Sequence, residues 1–461
     1  MQRRDFIKQM GLGAMGIAAG QLFRGIPMAH AAPTGFNPAQ VQFNSVSAAQ
    51  LPRYINIFLY GGPSELGGNL TNIVDINNNS QNSYGSVVSD VTANGFWGNA
   101  GGNIMESLIT SGDMSIYRTM NRIKDDNKGH GASVTQNLLG SLNTQNPGIG
   151  RTMAWILQNN NPFGKAVTDL LFPIVSFEGE SLAFNTGGLT INTALRPVSL
   201  NANLNNPYQR TSSGAAPNGS ARDISLEDLA AYTNGIADLP SLTDSFGKRG
   251  TFAAELEANL TTTAINTSLT NLGLATTHYS NGNFGQRLRA AVSLSLANPE
   301  TVFISLGSGG LGGWDDHSQA ISSYSTRMQE LMTAINAAMI HINAAAGAGV
   351  SHANNIIINV YGDFGRNVNL NNSMGWDHGN NQNLYTFGGK GIAGRGLGKV
   401  VGRTQRIGTP GVNRQFTSPT ATSYQFEPFA LASTMYKSFG VTNPQLITGE
   451  APINETATQE N

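Results

Sequence analysis

Two apolar runs with a regular helix between them set the strongest limit on what this chain can fold into. Residues 301–306 form a β-branched and aromatic run that passes into a glycine-rich stretch and then Trp314, Asp315, Asp316 and His317. Ile321, Tyr324, Met328, Leu331, Ile335, Met339 and Ile342 follow at spacings of three and four, the stripe of a long core-facing helix. Residues 355–360 are a second apolar run, and behind it come Gly362, Asp363, Arg366, Asp377 and His378. Strand, helix, strand in this order predicts a right-handed parallel crossover, so both strand ends leave the same edge of one sheet. Sites in open parallel sheets gather at that edge, and the two glycine-, aspartate- and histidine-bearing endings are expected to meet there.

The rest of the chain adds strands and helices to this unit. Residues 54–60 read as a buried strand ending at Gly61-Gly62-Pro63-Ser64-Glu65, and 114–118 and 172–177 as further strands. Helices are expected over 104–110, 149–157, much of 226–296 and 426–439, with Arg287 and Arg289 as solvated charges and a fraying tail beyond. Lys128, His130 and Ser133 fall at a loop-to-helix junction, where free N–H groups suit an anion and polar capping is the simpler alternative. Residues 69–103, with Phe96 and Trp97 as isolated aromatics, and residues 196–222 are long loops rich in Asn, Ser and Gly. His341 is expected to be a partly buried helix residue.

Three motif-like stretches do not qualify. Gly179-Glu180-Ser181-Leu182-Ala183 approximates a GxSxG nucleophile elbow, but Phe184-Asn185-Thr186-Gly187-Gly188 cannot supply the helix that an elbow needs. Gly11, Gly13 and Gly16 have no strand before them, and Gly389 to Gly394 have no helix after them, so neither cradles a dinucleotide.

Only 12% of residues are charged and the formal charge is -1, which leaves no basic field for nucleic acid. No cysteine is present, so any metal must rest on His, Asp, Glu or hydroxyl ligands. Residues 1–31 read as a targeting segment: Arg3-Arg4-Asp5-Phe6-Ile7-Lys8, a short glycine-rich apolar run, then Ala29-His30-Ala31 as a small-x-small cleavage site. It resembles a twin-arginine signal, which implies the twin-arginine export machinery as a partner and a periplasmic or extracellular destination. The segment holds four basic residues and one acidic, so its removal takes the charge from -1 to -4. No later stretch has 18 consecutive apolar residues, and no stable membrane span is expected after cleavage. Residues 32–461 are read as a single domain.

In an extended segment Asp315 and His317 point to the same side, because alternate residues share a face. Such oxygen and imidazole donors suit zinc, or manganese and calcium where carboxylates predominate. Asp363, Asp377 and His378 extend the set to one or two divalent ions, and a pair of ions would clamp the attacking and leaving oxygens of phosphoryl or sulfuryl transfer. Arg366 or Lys128 is expected to hold the remaining anionic oxygens.

GGWDDH, VYGDFGR and GWDHG, with LYGGPSE, KGHGASVTQNLLGSL and the twin-arginine start, resemble a large family of exported bacterial proteins of unknown function within the alkaline phosphatase and sulfatase superfamily. The motif order holds from about residue 53 to 441. The resemblance implies one three-layer α/β/α sandwich around a mostly parallel sheet, into which the chain's own Asn/Gly-rich stretches read as long loop insertions. It also implies that Asp315, His317, Asp377 and His378 match metal-type positions, with Asp363 where relatives usually carry glutamate. Two departures stand out. Leu66-Gly67-Gly68 replaces the aspartate that relatives place after LYGGPSE, leaving Glu65 or Ser64 as substitutes. Gly129 replaces a serine found before the histidine in part of the family, leaving Ser133 or Thr135 as the nucleophile beside His130. The expected function is hydrolysis of a small or polymeric phosphate or sulfate ester. A catalytically inactive metal-binding protein and a surface or secretion-associated structural protein are the alternatives.

Overall fold

The strand β1, Arg53–Leu59, is apolar on both faces, as a strand covered from both sides must be. Ile55, Ile57 and Leu59 enter one hydrophobic core, Tyr54 and Phe58 the other. The computed structural model describes residues 35–71, 82–125, 128–200, 261–408 and 416–460; the expected export signal and most of the 196–222 insertion lie outside these. Strands β2 (Met114–Asn121), β3 (Ile174–Ser176), β4 (Val198–Ser199), β5 (Phe303–Gly307), β6 (Ile356–Gly362), β7 (Gly365–Arg366), β8 (His378–Gly379), β9 (Asn381–Gly388) and β10 (Val400–Val401) follow. Eight of them form one sheet in the order β10-β2-β9-β6-β1-β5-β3-β4, and β7 pairs with β8 apart from it. A further pair, β11 (Thr404–Ile407) and β12 (Phe416–Pro419), forms an antiparallel ribbon.

The helices divide between the two faces. On the first lie α1 (Gly102–Thr110), α4 (Thr262–Asn271), α5 (Asn283–Ala297) and α6 (Ala320–Gly347). On the second lie α2 (His130–Leu139), α3 (Ile149–Asn159), α7 (Phe429–Ser438) and the short α8 (Gln445–Thr448). No helix among the described residues is long and apolar enough to cross a membrane.

The predicted crossover is present. β5, α6 and β6 follow in order, and β5 and β6 are both parallel to β1, which lies between them. The ends of all three strands therefore share one edge. The Asn-rich strand β9 is not evident from an apolar run. It sits fully buried between β2 and β6, antiparallel to both. Its alternation is carried by Leu384 on one face and Tyr385 and Phe387 on the other, and its polar side chains are partly satisfied: Gln382 Oε1 accepts from Gly362 N at 3.0 Å, and the Thr386 hydroxyl donates to Asn359 at 2.7 Å.

Several expectations are corrected. Phe96 and Trp97 are core residues, with Trp97 stacked on Tyr324 at 5.8 Å, because the loop carrying them covers α6. Arg289 is buried and donates to Asn266 at 2.5 Å. The C-terminal tail does not fray: Glu460 N donates to Val400 O at 2.8 Å, Arg395 pairs with Glu455 at 2.5 Å, and Ile453 and Ala457 are buried. His341 is buried in α6 with Tyr279 OH at 3.0 Å from Nδ1. The rejection of the GxSxG stretch agrees with the structure: Ser181 Oγ accepts from Ala183 N, and only the 3-10 turn Leu182–Phe184 follows.

Candidate metal centre

The loop after β5 is fixed by alternate residues. Trp314 is fully buried, its backbone N–H donates to Tyr60 O at 3.2 Å, and Arg327 lies 5.3 Å from its ring centre. Asp316 is buried too, held by Arg327 at 2.5 and 2.6 Å. Asp315 and His317 consequently turn outward together, 40% and 45% exposed, as the two-residue period of an extended segment requires.

A second loop zips onto the first. Trp376 N donates to Asp316 O at 2.8 Å, and the N–H groups of Gln319 and Ala320 donate to Ser373 O and Met374 O, closing the start of α6. A Cβ at Gly375 would lie 2.0 Å from the carbonyl carbon of His317, so only glycine permits this approach. Gly61, at the end of β1, has φ +117° and would place a Cβ 2.5 Å from Asp315 N. Gly61→Ala is therefore expected to destabilise the fold by about 1–3 kcal/mol, read as a lower urea midpoint, since neither backbone can give way.

The third contribution comes from α2. Asn137 of this helix donates to Gly362 O and Asp363 O, both at 2.8 Å, docking the helix on the end of β6. That places His130, its first residue, over the sheet edge, with its ring 4.8 Å from that of the buried Phe364.

One donor atom each from His130, Asp315, His317 and His378 lies within 4.8 Å of the others. His317 Nε2 is 3.1 Å from His378 Nε2 and 3.1 Å from Asp315 Oδ1, and His130 Nε2 is 3.3 Å from the same oxygen. The opposite ring nitrogens are all engaged. His130 Nδ1 meets Asp363 Oδ2 at 2.8 Å, His378 Nδ1 donates to Lys128 O at 2.6 Å, and His317 Nδ1 lies 3.4 Å from Asp377 Oδ1. A donation to a carbonyl puts the proton of His378 on Nδ1 and leaves Nε2 as a lone-pair donor.

The electrostatics follow from this packing. Burial pulls His130 down, but its hydrogen bonds to Asp315 and Asp363 outweigh that and carry it up to about 9. Burial, then Arg366 and His130, lower His378 to about 4. Burial opposes ionisation of Asp315, yet His130, His317 and Arg366 hold it well below the usual carboxylate range.

The donors fit a divalent ion. Metal–ligand bonds of about 2.0–2.2 Å put neighbouring tetrahedral donors roughly 3.3–3.6 Å apart; the His317–His378, His317–Asp315 and His130–Asp315 separations of 3.1, 3.1 and 3.3 Å lie near this, in a set whose donor atoms are all within 4.8 Å of one another. Three imidazole nitrogens and one carboxylate oxygen suit zinc or another first-row ion better than calcium, which takes oxygen ligands.

Of the residues expected at the site, Asp315, His317 and His378 meet. His130, expected to work beside a nucleophile, joins them as a donor. Asp363 and Asp377 stand behind the histidines, and Asp363, 1% exposed, also accepts from Gly61 N at 3.1 Å. Arg366, expected to hold an anion, is instead buried and donates to protein groups. Ser133 is fully buried within α2, Thr135 donates to Gly131 O at 2.7 Å, and Ser64 Oγ accepts from Leu66 N at 3.3 Å. Glycine on both sides of His130, matching the glycine after His378, was the sequence signal for a donor there.

Glu65 is elsewhere. It is 1% exposed, and its carboxylate accepts from Asn381 and Thr417. Burial lifts it from 4.5 to about 7 against those hydrogen bonds. A raised folded-state value means that the folded protein holds the proton longer than the unfolded chain does. Stability is thus expected to fall as pH rises from about 4.5 to about 7, by roughly 3 kcal/mol at 1.36 kcal/mol per unit, and then to level off. Urea unfolding of Glu65→Gln across that window should lack this slope.

No curated protein matches this sequence. Among solved structures, the crystal structure of Ps i-CgsB in complex with k-i-k-neocarrahexaose is similar, with 10% identity, 88% of this chain and 75% of that chain covered, and a TM-score of 0.34. The motifs that build the centre all fall within residues 52–450, the span over which the chain matches, and belongs to, the family described as protein of unknown function (DUF1501).

Proposed function

We propose that this is an exported, metal-dependent hydrolase of phosphate or sulfate esters with an alkaline phosphatase/sulfatase-like fold. The observation that carries the reading is the convergence of three Nε2 atoms and Asp315 Oδ1 at the carboxyl edge of a mostly parallel sheet. Bound among these donors, a divalent ion would polarise an ester oxygen and lower the pKa of water. His130, His378 and Phe364 form a wall of rings 4.4 to 4.8 Å apart on one side. Asp315 and His317 leave the other side open to solvent and substrate. Ser133 is too deeply buried to attack an ester, so water is the nucleophile of this reading. Arg3 and Arg4 support export through the twin-arginine route to the periplasm or beyond.

One observation favours a second reading. Four protein donors fill a tetrahedral zinc shell, as in structural sites, whereas catalytic zinc usually keeps three and an open position. A catalytically inactive metal-binding protein would use the same cluster. The test is metal analysis of the purified protein, then assay against aryl phosphates, phosphodiesters and aryl sulfates. Bound metal with turnover that disappears in His317→Ala supports the hydrolase. Bound metal without turnover on any ester supports the inactive reading, and absence of bound metal sinks both.

A further inference from the structure

We propose that Arg366 is the positioning residue of this centre, one buried guanidinium that sets the mutual placement of Asp315, His317 and His378. The inference rests on the metal-centre reading above. A guanidinium offers five N–H donors in a rigid plane and no acceptor, so each hydrogen bond it makes fixes a partner in that plane. Here Nε donates to Gly62 O at 2.6 Å, and Nη1 donates to Trp376 O at 3.0 Å. Nη2, with two hydrogens, donates to Gly61 O and to Asp315 Oδ1 at 2.8 Å, and shares one of them with Trp314 O at 3.3 Å. Nη1 also lies 3.4 Å from His317 Nε2.

The partners are distributed over the site. Gly61 and Gly62 belong to the turn after β1, Trp314 and Asp315 to the loop after β5, and Trp376 precedes His378 by two residues. Arg366 itself pairs with His378 in the β7–β8 ribbon, and its guanidinium carbon sits 5.5 Å from the Phe364 ring centre. Every loop that supplies a donor, apart from the start of α2, is thereby bonded to one side chain that is 0% exposed. His130 is held independently by Asp363.

A lysine could not reproduce this arrangement. Its ammonium has three donors and no plane, so it could keep the charge near Asp315 while losing the alignment of the carbonyls. Three of the four donors would then be displaced and His130 left in place.

The experiment compares wild type, Arg366→Lys, Arg366→Gln and Arg118→Lys, each measured for zinc affinity, for the visible spectrum of the cobalt(II)-substituted protein and for thermal stability. Arg118 is the control, an equally buried arginine that donates to Gly68 O and Asn94 O and touches none of the donors. Loss of partners that orient metal ligands typically weakens metal binding about 10–100-fold, and that loss is expected for both Arg366 variants. Their cobalt spectra should change as well. Arg118→Lys should lower stability and leave zinc affinity and spectrum as in wild type. Should the Arg366 variants not fold, the wild-type protein supplies the readout: the Arg366 Nε–H resonance should shift on addition of one equivalent of zinc. Wild-type zinc affinity and spectrum in Arg366→Lys, an equal loss in Arg118→Lys, or an unmoved Nε–H resonance would overturn the inference while leaving the metal centre standing. Failure of wild type to bind zinc would overturn both.

Discussion

His378→Ala is expected to abolish tight metal binding, lowering affinity by more than the roughly 10–100-fold that loss of an outer partner costs. His378 supplies one of three nitrogen donors, and its tautomer is set by donation to Lys128 O. Removing it leaves two nitrogens and one carboxylate oxygen in places set by a four-donor cluster, so zinc is expected to be lost on dialysis under which wild type keeps it. Asp377→Asn should act more mildly, because Asp377 stands 3.4 Å behind His317 Nδ1 and not among the converging atoms. Metal content after exhaustive dialysis, measured for both variants beside wild type, decides the matter. A His378→Ala protein that keeps its metal would place the ion elsewhere. Ester hydrolysis, where present, should follow the metal content.

Trp376→Ala is expected to cost about 3–5 kcal/mol of stability, the range for removing a buried aromatic. The Trp376 ring is fully buried against Tyr324 at 5.3 Å, and its Nε1 donates to Tyr84 OH at 2.7 Å. The substitution also unseats a loop: Trp376 N bonds Asp316 O, and Trp376 O receives Arg366. Urea unfolding would show a lower midpoint at an unchanged slope, together with weakened zinc binding. A loss below about 1 kcal/mol would mean that the Trp314–Tyr324–Trp376 cluster does not hold the loops in place.

Much of the fold was readable because the β5–α6–β6 unit expresses its burial in local periodicity. The apolar runs and the stripe from Ile321 to Ile342 identify strands and a helix, and the parallel crossover then places the strand ends together. The strand β9 was not readable. Asn381, Gln382 and Asn383 are polar, and the partners that one end of each amide finds lie on other segments, among them Glu65, Arg118 and Gly362. The tail was misread for the same reason, since its anchors, Val400 and Arg395, are distant in sequence.

By itself the sequence determined which chemistry is available here: no thiolates, a low charge, and Asp315, His317 and His378 at glycine-bearing strand ends, with Asp315 and His317 turned to one side by the strand period. Only the tertiary structure decided how those residues divide their labour. His130 becomes a donor because α2 docks on the end of β6, Asp363 becomes its support because burial leaves it facing Nδ1, and Arg366 becomes a clamp because three loops present their carbonyls to its plane. A side chain's role depends on which atoms other segments bring to it, and those atoms come from parts of the chain that no local pattern connects.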